Sequence, residues 1–250
     1  MNSFFASLGE FIHFSAQVLR RVFLRRYNTR TLTSEMHRIG VESLTVVNLC
    51  SFFIGLVMVI QMQSMLKRYG AESQVGKVLA ASFVLEIGPV FAAIMFTGRI
   101  GTGIAAELGS MVVTEQIDAY RVFGADPISR LAVPKVLATT LMLPALTVIA
   151  SVVGLFSGFL LVVFQQGEPG RLYVADSLEI LGHLDIICCI VKGIVFGLVV
   201  GLVATHSGFQ TARATSAVGL STTRTMVQGV LSILVVDLLL TKIFLILKGV

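Results

Sequence analysis

Five long runs of apolar residues constrain what this chain can fold into. They cover residues 44–66, 78–97, 136–165, 186–206 and 225–247. Each run is about as long as the roughly 20 residues that an α-helix needs to cross a bilayer. Charged residues are absent from the first and third runs and rare in the others. The runs therefore predict an all-α membrane protein with five transmembrane helices.

Composition and motifs exclude several other classes of protein. The formal net charge is +5, but the basic residues border the apolar runs, as membrane topology favours, and nucleic acid is not an expected partner. The three cysteines lie within apolar runs and lack the spacing of a zinc site or a disulfide framework. Walker A and HExxH motifs are absent. We therefore expect no enzyme activity, no ATP hydrolysis by this chain and no bound cofactor or metal.

The residues before the first run differ in character from the rest of the chain. Between residues 4 and 24, apolar side chains recur at helical spacing and are interrupted by Glu10, Gln17, Arg20 and Arg21. This pattern predicts an amphipathic helix that lies in the inner membrane interface, with its arginines toward anionic head groups. A disordered basic arm is the alternative. We therefore divide the chain into an N-terminal region, 1–43, and a five-helix transmembrane domain, 44–250.

Orientation in the membrane is predicted from the positions of Lys and Arg. Segments that are cytoplasmic when the N-terminus is inside carry more Lys and Arg than the segments that are then external. Because positive residues favour the cytoplasmic side, we expect the N-terminus inside and the C-terminus outside. Residues 98–130 then form a cytoplasmic segment, which is poor in Pro and Ser and is expected to be folded.

Four charged residues lie inside the predicted spans: Glu86, Lys192, Asp237 and Lys242. A charge in hydrocarbon costs roughly 2.5–3.5 kcal/mol on insertion scales, so each needs a partner or a role. At 1.5 Å per residue all four fall in the outer half of the membrane. They are suited to neutralise one another in a structural network, to line a polar part of a substrate cavity or to relay protons. Lys242 has the further option of extending toward the interface.

Small residues spaced four apart predict close helix packing in the fourth span. Gly193, Gly197 and Gly201 lie on one helical face, which lets another backbone approach closely. The partner of such a face is either another helix of the same chain or a second copy of the chain.

Three strings carry a family resemblance. They are EIGPVFAAIMFTGRIGTGIAAELG (86–109), TEQIDA (114–119) and STTRTMV (221–227), the last with Asp237 downstream. The chain resembles the MlaE family of ABC permeases, the membrane subunits of MCE-type lipid transporters, over roughly residues 40–247. The resemblance implies a homodimer, each subunit having an N-terminal interfacial helix and five transmembrane helices, similar to ABC exporters of the lipid-exporting type.

The same resemblance implies partners and a location. A cytoplasmic ATPase, which holds ATP and Mg, is expected below the membrane domain, often with a small STAS-domain protein. A hexameric ring of MCE proteins is expected on the periplasmic face. The implied function is to move phospholipid between the bacterial inner membrane and that ring. A proton-coupled secondary transporter and a non-transporting scaffold for the MCE ring are the alternatives.

The resemblance also assigns expected roles to residues. Glu115, Gln116, Ile117, Asp118, Ala119 and Tyr120 resemble the coupling helix that docks into the ATPase. Glu86, Lys192 and Asp237 match positions of intramembrane charges in the family. Leu85 stands where several bacterial relatives have Arg, and Lys242 is a candidate for the missing positive charge. A wall of the lipid cavity is predicted along the first span, because lipid needs an apolar surface and methionine adapts to varied chains; its residues are Val57, Ile60, Met62 and Leu66.

Overall fold

The computed structural model describes residues 2–24, 29–71, 74–166 and 170–248, and within these ranges every regular element is a helix. The all-α prediction is therefore confirmed. The helices are α1 (Asn2–Leu24), α2 (Thr29–Arg68), α3 (Val75–Val113), α4 (Gln116–Val122), α5 (Val133–Gln166, preceded without a break by a π-helical turn at Ile128–Ala132), α6 (Gly170–Ile180), α7 (His183–Phe209) and α8 (Thr215–Lys248).

Five of these helices, α2, α3, α5, α7 and α8, are long and apolar enough to cross a membrane. Each predicted apolar run falls within one of them, so the five-span prediction is confirmed. The second apolar run ends at residue 97, whereas the helix that contains it, α3, continues to Val113. The extension is rich in small residues and helix formers (TGIAAELGSMVV), which favour helix continuation over a break. The predicted cytoplasmic segment 98–130 thus contains the end of α3, all of α4 and the start of the α5 turn.

The N-terminal segment is a helix that packs against other helices. Val18 of α1 is fully buried in a cluster with Ala132 and Leu202. The Arg21 Nε donates to Asp126 Oδ2 at 2.6 Å. Burial alone would raise the pKa of Asp126, but hydrogen bonds from Ser129 and Arg21 and the Arg21 charge outweigh it, so this pKa lies below its ordinary value. The described part of α1 is therefore ordered and docked, in contrast to a disordered arm.

Two compact units make up the chain, and each of the five long helices contributes a stretch to both. The first unit comprises Met1–Ser43, Phe96–Met142 and Val195–Val236. The second unit comprises Leu44–Met95, Leu143–Ile194 and Asp237–Val250.

In the first unit, glycines on α7 let this helix pack directly on α5. A Cβ atom on Gly197 would lie 2.5 Å from the carbonyl oxygen of Thr139, and one on Gly201 would lie 2.3 Å from the Thr139 hydroxyl oxygen. In the second unit, a Cβ on Gly193 would lie 2.7 Å from Pro144 Cα. The small-residue face predicted on the fourth span is therefore occupied by a helix of the same chain.

The core of the second unit is built from α2, α3, α5 and α6. Val59, Leu79, Phe83 and Tyr173 are buried together in it. Gly154 makes room for the Phe83 ring, because a Cβ there would lie 2.0 Å from Phe83 Cε1. Burial raises the pKa of the Tyr173 phenol to about 12, so this side chain is a neutral part of the core.

Candidate functional site

The predicted coupling residues form a short surface helix, α4. It begins after Glu115, which has a left-handed backbone with φ 58°, and is followed by Gly124 with φ 70°. A left-handed non-glycine residue costs roughly 1–2 kcal/mol, and such outliers cluster at functional positions. Glu115 therefore fixes a sharp entry into α4 at an energetic cost, and Gly124 ends the helix in the usual left-handed manner.

Side chains of α4 divide into a buried and an exposed set. Ile117 is 3% exposed and anchors the helix to the first unit, whereas Glu115, Gln116 and Ala119 are exposed and Asp118 and Tyr120 are half-buried. The structure thus places the six predicted coupling residues on one continuous surface element. Beyond them, two large apolar side chains project from the end of the helix, Val122 at 83% and Phe123 at 85% exposed.

Arg213, in the connection between α7 and α8, holds α4 in place. Its Nη2 donates to Asp118 Oδ2 at 2.6 Å, and its Nη1 lies 3.9 Å from Glu115 Oε1. Arg121 Nη1 donates to the other Asp118 oxygen at 2.9 Å. A cleft of about 270 Å³ lies beside these residues and is lined by Val112, Ile117, Asp118, Arg121, Phe209, Thr211, Ala212 and Arg213. Sequence reasoning did not single out Arg213, because a basic residue is expected for topology alone in a loop that is predicted to be cytoplasmic.

The second unit contains a buried charge cluster centred on Lys192. This lysine is 0% exposed, and its Nζ lies 2.7 Å from Glu86 Oε2 and 2.8 Å from Asp237 Oδ1. It also donates to the Leu85 carbonyl oxygen at 3.0 Å and to the Thr241 hydroxyl at 2.8 Å. The Thr241 hydroxyl in turn donates to Glu86 Oε1 at 2.9 Å. Three of the four intramembrane charges predicted from sequence are thus brought together.

A π-helical turn explains how one stretch of α3 supplies two hydrogen-bond acceptors to Lys192. Phe83–Ile87 is π-helical, and such turns loosen the regular backbone bonding of a helix and recur at functional sites. The Leu85 carbonyl and the Glu86 carboxyl both reach Lys192 from this turn.

Lys242 does not join the cluster. It is exposed, and among the residues that the structure describes no acidic side chain pairs with it. Its neighbour Thr241 faces the cluster instead, since adjacent residues on a helix point about 100° apart. The positive charge expected beside Leu85 is therefore supplied by Lys192, and the neutral residue Thr241 was not predicted to take part.

A second buried cluster lies in the first unit and was not predicted. Lys135 is 2% exposed, and its Nζ donates to Glu35 Oε1 at 2.8 Å and to Glu107 Oε1 at 2.8 Å. Arg38 also donates to both acids, to Glu35 at 2.9 Å and to Glu107 at 2.8 Å, so that the four charged side chains form a ring. All four residues lie outside the predicted apolar runs, where charges are expected to face water. Only the extension of α2, α3 and α5 beyond those runs brings them together.

The four predicted cavity residues of α2 do not share one face. Val57 and Ile60 are exposed, at 51% and 53%, whereas Met62 and Leu66 pack against the buried core of the second unit. At about 100° per residue the two pairs point to roughly opposite sides of the helix. The exposed apolar stripe of α2 consists of Leu49, Phe53, Val57 and Ile60. Of the four predicted residues, only Val57 and Ile60 belong to this exposed stripe, and the role of the residues as a cavity wall stays a prediction.

Membrane-length helices that pack on one another through glycines and hold buried charges define the class, a multi-pass α-helical membrane protein. The family model described as "Permease MlaE" matches residues 32–243. The chain belongs to the MlaE permease family, and the resemblance stated from its strings is confirmed.

The names of similar proteins agree with this family. The chain is 33% identical over 238 residues to a "Probable ABC transporter permease protein" of Rickettsia bellii, covering 95% of this chain and 92% of the relative. It is 35% identical over 230 residues to the Arabidopsis thaliana protein "TRIGALACTOSYLDIACYLGLYCEROL 1, chloroplastic", covering 92% and 66%. It is 30% identical over 243 residues to the "Intermembrane phospholipid transport system permease protein MlaE" of Haemophilus influenzae, covering 96% and 92%.

Proposed function

We propose that this chain is the permease subunit of an ATP-driven phospholipid transporter, with ATP and Mg bound by a separate cytoplasmic ATPase. The observation that carries the proposal is α4, a short exposed helix with a strained entry residue, held in position by Arg213 through Asp118. A partner that does mechanical work on a membrane domain needs such an element. Family membership and the ABC permease names of relatives support the ATPase as that partner.

The α4 surface offers both charge and apolar area to a partner. Glu115 is exposed, and Val122 and Phe123 project from the C-terminal end of the helix. Large exposed apolar side chains beside polar ones are typical of a docking surface. Because Arg213 links Asp118 to the start of α8, displacement of α4 by the ATPase would be passed to α8 within the first unit.

Phospholipid is proposed as the substrate because the H. influenzae relative is named for intermembrane phospholipid transport. The exposed stripe of α2 supplies an apolar surface for acyl chains. We further propose a homodimer in the bacterial inner membrane with its N-terminus inside and its C-terminus in the periplasm. A periplasmic MCE hexamer would exchange lipid with it, and a STAS-domain protein would join the ATPase.

Reconstituted transport tests the proposal against its rivals. The chain and its cognate ATPase are placed in liposomes with a fluorescent phospholipid, and transfer to the soluble MCE protein is followed. We expect transfer to require ATP and Mg, and to stop when the ATPase carries a substitution in its phosphate loop. Lipid movement by the chain alone under a pH gradient would contradict the proposal in favour of a secondary transporter. Complete absence of ATP-dependent transfer would favour a scaffold.

A further inference from the structure

We infer that the cluster of Glu86, Lys192 and Asp237 holds one proton on its two carboxyl groups, so that the cluster is electrically neutral. This protonation site goes beyond the proposed transport function and does not depend on it. It concerns the resting state of the second unit, whichever energy source drives the protein.

Counting donors around Lys192 gives the first argument. An ammonium group has three protons, whereas four oxygens lie within 3.0 Å of this Nζ, those of Leu85, Glu86, Thr241 and Asp237. Three of them accept hydrogen bonds from it. The fourth, Asp237 Oδ1, is buried and receives no hydrogen bond from the described residues, although it lies 2.8 Å from the charge. A proton on the Asp237 carboxyl would remove the negative charge from this unbonded oxygen.

Proximity of the two carboxyl groups gives the second argument. Both contact the same Nζ atom, at 2.7 and 2.8 Å. Two ionised carboxylates on one ammonium group repel each other, whereas protonation of one of them removes this repulsion. Carboxyl pairs that share one site titrate as a unit and retain a proton over a wide range of pH.

Charge balance gives the third argument. Two carboxylates and one ammonium sum to one uncompensated negative charge, and an unpaired charge away from water is costly. No other cationic side chain among the described residues contacts the pair. On α8, Lys248 is paired with Asp185 of α7, and Lys242 is exposed. One proton brings the cluster to neutrality.

Accessibility of the two acids is unequal. The Glu86 side chain is 42% exposed, whereas that of Asp237 is 18% exposed. Glu86 is therefore the more accessible of the two acids.

Infrared spectroscopy of the full-length protein in lipid nanodiscs at neutral pH tests the inference. A protonated carboxylic acid has a carbonyl stretch well separated from that of a carboxylate. We expect this band in the wild type and its loss or shift in Glu86→Gln or Asp237→Asn. Glu179→Gln, which changes an exposed glutamate paired with Lys77, should leave the band unchanged. The absence of an acid band, or a band that neither cluster variant alters, would overturn the inference.

A second measurement uses only the wild type, in case a variant fails to fold. Apolar carbodiimides react with protonated carboxyl groups in membrane proteins and leave carboxylates unmodified. At neutral pH, mass spectrometry of peptides should find an adduct on Glu86 or Asp237, with a yield that falls as the pH is raised. Absence of an adduct on both residues would contradict a resident proton.

Discussion

Replacing Lys192 by methionine is expected to lower the free energy of unfolding by about 3–5 kcal/mol, the usual cost of removing one partner from a buried ion pair. Methionine preserves most of the side-chain volume but removes the only charge that contacts Glu86 and Asp237 among the described residues. Both carboxyls would then have to be neutral or remain unpaired, and the Leu85 carbonyl and the Thr241 hydroxyl would lose a donor.

Lys242→Met is the matched control, because it removes the same charge from the same membrane domain. Lys242 is exposed and outside the cluster, so its replacement should change stability by no more than about 0.5 kcal/mol. The free energy of unfolding of both variants is measured by denaturant titration in micelles, with the folded fraction as the readout. Equal effects of the two substitutions would show that the cluster does not stabilise the second unit. Adding Glu86→Gln to Lys192→Met should recover part of the loss, since one unpaired carboxylate is then removed.

Charge reversal at Asp118 is expected to give the second large effect, this time on function. Asp118→Lys would repel Arg213 and Arg121 and release α4 from its position. We expect ATP-coupled transport to fall by about tenfold or more, within the 5–150-fold range of typical coupling free energies. Stability should change little, because both side chains are partly exposed and exposed ion pairs contribute only about 0.2–1 kcal/mol.

Rescue distinguishes loss of this ion pair from general damage. Arg213→Glu should reproduce the defect, and the double variant Asp118→Arg with Arg213→Asp should restore part of the coupling. A swap of the ion pair between Lys77 and Glu179, on α3 and α6 in the second unit, serves as the control and should leave ATP turnover unchanged. Unaltered co-purification and ATP turnover in Asp118→Lys would show that α4 does not receive the work of the ATPase.

Much of this fold could be predicted because the bilayer imposes strong constraints on sequence. A span needs a long apolar run, and a charge within such a run needs a partner. These two rules are sufficient to locate the five long helices and to single out Glu86, Lys192 and Asp237 by their position within apolar runs. The string around residue 115 gave the position of α4 through its family resemblance.

Features that depend on helix ends and side-chain direction could not be predicted in the same way. The ring around Lys135 forms only because α2, α3 and α5 extend past their apolar runs. Thr241 belongs to the cluster around Lys192 and Lys242 does not, because adjacent residues on a helix point about 100° apart. Met62 and Leu66 face the core although they are apolar like their exposed neighbours. Hydropathy marks a segment as membrane-spanning but does not assign the direction of each side chain.

The central claim is that α4 lies in the compartment that contains ATP, and labelling of an introduced thiol tests it most directly. Val122→Cys, at an 83% exposed position, is placed in a chain whose three native cysteines have been replaced, with Glu179→Cys on α6 as the counterpart predicted to be periplasmic. In spheroplasts, a membrane-impermeant maleimide should label Glu179→Cys alone, and Val122→Cys should react only after the membrane is opened. Labelling of Val122→Cys in sealed spheroplasts would contradict the account.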